Sequence, residues 1–182
     1  MIIDINAFNA VQPAISKDPT RYRIAGVHIE DTEDKRIYVG TNGHIMLIVE
    51  TPKPGDSLPN GQITILSPKQ IPAKTAKAEL LTVDNETAVI KTDKGKTALD
   101  ICNAAYPDWR KVLPAETTPH ATHYMKFDPK YTSMLADFIE KCHTITPRAA
   151  GNQSPALWIH VDTDNKQRRV ACLMPMRGWD SE

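Results

Sequence analysis

Histidine and cysteine are the side chains here whose types and spacing can do chemistry, and zinc ligation is the first chemistry to weigh. His120 and His123 are three apart, and Cys142 adjoins His143. A zinc site needs a full set of ligands, usually paired cysteines or a histidine pair with a carboxylate at helical spacing. The histidine pair instead lies in a Pro- and Thr-rich connector with no such partners, which reads as surface histidine and predicts no metal. The chain carries no GxSxG nucleophile turn, no glycine-rich phosphate loop and no HExxH pair. Cys102, Cys142 and Cys172 are odd in number and widely spread, which fits a reducing cytoplasm rather than a disulfide framework. The expectation is a protein that catalyses nothing and uses no cofactor.

Binding is the remaining chemistry, and composition limits what is bound. The chain has 182 residues, 41% apolar and 24% charged, enough for a real core and too apolar for a disordered tail. The 22 basic and 22 acidic side chains cancel, so strong autonomous DNA binding is not advertised; any DNA contact is weak, local or enforced by geometry. No apolar run reaches the length of a membrane helix, and Met1-Ile2-Ile3-Asp4 lacks the basic and apolar regions of a secretion leader.

Three stretches share one local grammar, a β-rich run followed by a helix start. They are Met1–Asp4 into Asn6–Val11, Ile63–Leu66 into Ser67-Pro68-Lys69, and Tyr124–Phe127 into Asp128-Pro129-Lys130. Ser67 and Asp128 are of the type that caps a first helical turn, and Pro68 and Pro129 suit the first helical position. Tyr131, Met134, Leu135, Phe138 and Cys142 form one apolar stripe on the third helix, whereas Pro72 predicts a short or bent second helix. Strands are predicted at Tyr22–Glu30, Arg36–Thr41 and Ile45–Val49, then Glu79–Val83, Thr87–Thr92 and Thr97–Cys102, then Ala156–Thr163 and Arg168–Met174, with a loop over His143–Ser154. The fold class is α+β, built of strand-helix-antiparallel-strand modules repeated about three times.

Four motifs then follow one another along the chain: Arg21-Tyr22-Arg23-Ile24-Ala25-Gly26, Thr41-Asn42-Gly43-His44-Ile45-Met46, Tyr106-Pro107-Asp108-Trp109-Arg110-Lys111-Val112-Leu113-Pro114, and Met174-Pro175-Met176-Arg177. In order and spacing they resemble segments of the bacterial DNA polymerase III beta subunit, the DNA sliding clamp. The resemblance implies the DNA clamp fold, in about one and a half clamp domains. Residues 1–118 resemble the complete middle domain, and residues 119–182 resemble the C-terminal half of the last one. That family has three domains per chain and closes rings of two chains around duplex DNA.

The resemblance also implies a groove for short linear peptides of DNA polymerase, clamp-loader subunits or repair proteins. By position it falls to Ile24, Thr41, Gly43, His44, Met46, Pro114, Cys172, Met174, Pro175 and Met176. Met46, Met174 and Met176 are soft enough to repack around different anchors, Gly43 admits close backbone approach, and His44 offers a rim hydrogen bond. Ile24 and Met46 also suit a core, and Asn42-Gly43 is a turn dipeptide in any protein. Asn42, Ile45 and Met46 stand where the family motif has Asp, Arg and Leu. Weak, non-specific contact with double-stranded DNA is implied for Lys17, Arg21, Lys69, Lys74, Lys77, Lys130 and Lys141. Three modules per chain against a ring of twelve imply a homo-oligomer; a non-encircling competitor for the same peptides is the other class that fits. Trp179, beyond the last motif, suits either a cover over the groove or a frayed terminus.

Overall fold

A computed structural model of the protein describes residues 1–67, 69–73, 77–82, 86–121, 125–139, 147–151, 153–162 and 167–176. Strand β1 (Ile2–Asp4) runs directly into helix α1 (Ile5–Val11), and the Asp4 carboxylate caps it by accepting from the backbone N–H groups of Asn6 and Ala7. Strands β2 (Val27–Asp31), β3 (Lys35–Thr41), β4 (Ile45–Pro52) and β5 (Gln62–Leu66) follow, then β6 (Lys77–Thr82), β7 (Thr87–Thr92) and β8 (Gly95–Ile101). Helix α2 (Pro129–Phe138) precedes β9 (Ala156–Asp162) and β10 (Gln167–Leu173).

The ten strands among the described residues join one antiparallel sheet in the order β1-β6-β7-β8-β5-β2-β3-β4-β10-β9. The β4–β10 pairing sets Leu47 opposite Ala171, Met46 opposite Cys172 and Ile45 opposite Leu173. Strand β4 is covered on both faces, which is why Ile45-Met46-Leu47-Ile48-Val49 reads as an unbroken apolar run rather than an alternating one. Ile45, Leu47 and Val49 belong to the core built with Phe8 and Val11 of α1 and Leu135 and Phe138 of α2. Met46 and Ile48 face the other way, against Ile37, Val39, Leu157, Val170, Cys172 and Trp109. Gly40 marks where α1 meets the sheet, since a Cβ there would stand 2.2 Å from the Val11 carbonyl oxygen. Arg36 is fully buried in a fork on Asp31, with Nε 2.7 Å from Oδ1 and Nη2 3.0 Å from Oδ2, and it also reaches the Ile2 carbonyl and Asp56.

The predicted strands recur with small shifts, and three expectations need correction. Tyr22–Ile24 is not strand: Pro19–Ile24 forms 3-10 turns because Asp18 accepts from the Thr20 N–H and Pro19 sits at the first position, so β2 begins only at Val27. The described residues between Ser67 and Ala73 are not helical. Asn9 holds this stretch instead, its Oδ1 accepting from the Ile71 N–H and its Nδ2 donating to the Ile71 carbonyl, each at 2.8 Å. Met125–Phe127 is not strand, while the helix after Asp128 forms as predicted, with Leu135 and Phe138 buried and Tyr131 and Met134 half-buried. Pro68, Tyr124 and Cys142 lie outside the described residues. Among the described residues no helix is long and apolar enough to cross a membrane.

Candidate peptide-binding site

The β3–β4 turn is built by its own side chains. Asn42 Oδ1 accepts from the His44 and Ile45 N–H groups, and Thr41 Oγ1 donates to the Ile45 carbonyl while accepting from the Gly43 N–H. Gly43 has φ +89°, a conformation that side-chain-bearing residues rarely adopt. The chain leaving β10 is fastened to this turn, because the Met174 N–H donates to the His44 carbonyl at 2.9 Å. The Asn42-Gly43-His44 turn and the Met174 segment are therefore walls of one cleft of about 280 Å³, with Ile24, Met46 and Cys172 lining it between them.

A third wall comes from the stretch ending in the 3-10 turn Trp109–Val112, which contributes Tyr106, Pro107, Asp108, Trp109 and Val112. Tyr106 stacks on His28 with centroids 4.3 Å apart and planes 7° from parallel, and His28 Nδ1 lies 2.9 Å from Thr64 Oγ1. The Arg110 guanidinium covers the Trp109 ring at 4.1 Å and pairs with Glu30, which also lies 3.5 Å from His28 Nε2. Burial alone would raise the Glu30 carboxyl, but hydrogen bonds from His28 and Arg110 outweigh it and hold the group down to about 2. Burial pushes the Cys172 thiol up to about 12, so this cysteine acts as apolar lining and not as a nucleophile. The Tyr106 hydroxyl and Trp109 Nε1 are buried with no hydrogen-bond partner among the described residues.

No protein-family model matches the sequence, and a search of curated proteins finds no match. Solved structures do match. The DNA polymerase III beta chain of Streptococcus pneumoniae superposes with a TM-score of 0.75 at 13% identity over 98% of this chain and 64% of that one. A beta sliding clamp from Caulobacter crescentus with polyethylene glycol bound gives 0.75 at 16% identity, covering 98% and 65%. A sliding clamp from Bartonella birtlesii bound to griselimycin gives 0.70 at 13% identity, covering 98% and 66%. The fold is that of the bacterial sliding clamp. The chain spans about two thirds, 64 to 66%, of the length of these clamps.

Within this clamp fold, Ile24, Thr41, Gly43, His44, Met46, Cys172 and Met174 come together around the cleft. Pro114 does not; it lines a neighbouring depression of about 230 Å³ beyond Trp109, with Ile37, Ile48 and Val170. Pro175 and Met176 are not among the lining residues either, as the Met176 N–H donates to the Lys126 carbonyl at 2.8 Å and leads the chain towards α2. Ile45, singled out in sequence as a departure from the family motif, also lines the cleft, whereas sequence reasoning did not assign Tyr106, Pro107, Asp108, Trp109 and Val112 to it. The available signal was a Tyr and a Trp three residues apart in a stretch predicted as neither helix nor strand, since such rings are costly to leave in water. Of the basic residues, Lys17, Arg21 and Lys130 meet around one recess, whereas Lys69 follows β5 and Lys77 opens β6 opposite Asp4 of β1. Lys74 and Lys141 lie outside the described residues, as do His123, Cys142 and His143. Among the described residues no group of three or more His, Cys, Asp or Glu side chains is placed to hold a metal.

Proposed function

We propose that this protein is a non-catalytic, clamp-like adaptor that receives short apolar segments of DNA-replication or repair proteins in the cleft between Met46 and Met174. The supporting observation is the hydrogen bond from Met174 to His44, which closes a concave apolar surface from segments far apart in sequence. Such a surface with few polar groups at its rim is what an extended or helical peptide anchor needs. The partners are polymerase and clamp-loader subunits or repair proteins acting in the cytoplasm. Residues 1–118 serve as a full clamp domain and 119–182 as a half. Copies associate through sheet edges, and a closed ring would touch duplex DNA loosely through lysines on its inner face.

The test is fluorescence anisotropy with a labelled peptide bearing a Leu-Phe anchor. Met174→Ala should weaken binding about fivefold or more, roughly 1 kcal/mol, with the fold intact by circular dichroism. Equal affinity for the variant and the parent would remove the cleft as the binding site. A second reading, a competitor that occupies partner peptides without encircling DNA, uses the same Met46–Met174 cleft. Increased polymerase processivity on circular DNA supports the ring, and inhibition of a full-length clamp supports the competitor.

A further inference from the structure

Three sulfur-bearing side chains line the apolar cleft, Met46, Cys172 and Met174, and they differ in access. Met174 is 42% exposed, whereas Met46 and Cys172 are 5% and 4% exposed and belong to the core on that face of the sheet. Of the six methionines, all among the described residues, only Met174 and Met176 are exposed, and Met176 does not line the cleft. Met174 is therefore the one methionine that is both open to solvent and part of the apolar wall.

That difference in access decides where an oxidant acts first. A thioether reacts through its sulfur lone pair and needs no deprotonation, whereas a cysteine reacts as the thiolate. Cys172, its thiol pushed up to about 12 by burial, stays a thiol at neutral pH and does not compete. The backbone at Met174 is held independently of its side chain, because its N–H donates to the His44 carbonyl at 2.9 Å. A change at the sulfur thus alters the chemistry of this wall while β10 and the turn keep it in place.

We propose that Met174 is a redox modification site: hydrogen peroxide converts it to the sulfoxide, and the cleft then rejects apolar peptide anchors until a thiol-dependent reductase restores the thioether. In the forward step an S–O bond forms as the peroxide O–O bond breaks; the sulfur is oxidised and the peroxide leaves as water. In the return step the oxygen leaves as water and a pair of reductase thiols becomes a disulfide. A sulfoxide oxygen is a hydrogen-bond acceptor, and an apolar anchor laid over it strips its water and offers no donor in return. This rests on the peptide-binding reading of the cleft and adds how that binding is regulated.

The test measures anisotropy of a fluorescein-labelled Leu-Phe peptide before and after brief treatment of the protein with dilute hydrogen peroxide, with mass-spectrometric peptide mapping to locate the added oxygen. Oxygen should appear at Met174 and Met176 well before Met46, and affinity should fall about tenfold as Met174 is converted. Methionine sulfoxide reductase should restore it. Met176→Leu should respond to peroxide as the parent does, whereas Met174→Leu, whatever its starting affinity, should bind equally before and after treatment. Full conversion of Met174 with unchanged affinity overturns this inference alone, as does a loss in treated Met174→Leu as large as in the parent. Oxidation of Met46 or Cys172 ahead of Met174 overturns it too. Absence of binding before any treatment overturns the peptide-site reading with it.

Discussion

Two recesses of equal size flank the Asn42-Gly43-His44 turn and are built of opposite materials. The first is lined by Met46, Cys172, Met174 and Trp109, so what enters it gains by leaving water, in proportion to area and with little response to salt. Lysines and an arginine line the second, so what it attracts is set by charge and weakens as ions screen it. Their scaffolds differ as well. The apolar cleft depends on a non-local strand pairing, β4 with β10, and on a ring-bearing segment laid over the sheet; the cationic recess depends on two helix-flanking stretches on the helical face. One turn borders both, so each recess can be altered by mutation without the other except where the sheet beneath them fails.

The most severe way to break the comparison is to remove that sheet's buried ion pair. Arg36→Ala leaves Asp31, whose side chain is 3% exposed, without its cation, and should cost on the order of 3–5 kcal/mol by urea denaturation. Peptide binding should then disappear with the sheet that carries the cleft. Unchanged stability would mean that the fork contributes nothing net. Trp109→Ala separates the recesses more cleanly. Trp109 is 8% exposed and anchors the third wall, so its truncation should cost about 3 kcal/mol and weaken binding of an apolar peptide at least tenfold. The cationic recess should be left unchanged, because no residue of the Trp109 segment lines it. Unchanged affinity in anisotropy measurements would show that Trp109 is no wall of the binding site.

The two helix-start signals show how far the fold was legible. Ser67-Pro68 and Asp128-Pro129 are chemically alike, and only the second opens a helix among the described residues. A cap satisfies the first backbone donors but does not sustain a helix, which needs a face to bury. After Asp128 the stripe of Tyr131, Met134, Leu135 and Phe138 packs against the sheet; after Ser67 come only Ile71 and then Pro72, and Asn9 takes both backbone groups of Ile71. Strands were legible because period and turn residues are local. The cleft was less so, since the pairing of Met46 with Cys172 is non-local and was anticipated only through a family resemblance. Tyr106 and Trp109 were read as part of a family motif and not as pocket wall, because their neighbours in sequence do not show which strands the chain folds back over, here Ile37, Val39 and Ile48.

The mildest probe reaches the cleft through its outer support. Glu30 holds His28, on which Tyr106 stacks, and Arg110, which covers Trp109, so one carboxylate steadies both rings of the third wall. Its folded-state pKa is about 2, against 4.5 for an ordinary glutamate. The unfolded chain therefore binds this proton more readily than the folded one, and the resulting stability is complete above the ordinary value and is lost as pH falls from about 5 towards 2. Arg110 is half-exposed and its contribution is screened, so Glu30→Gln should cost only about 1 kcal/mol at neutral pH. The informative readout is the slope: denaturation midpoints of the parent should fall more steeply below pH 5 than those of the variant. Parallel curves would mean that Glu30 is no more acidic in the fold than in water. The third wall would then be held by stacking alone, and the apolar cleft would depend on charge no more than its lining does.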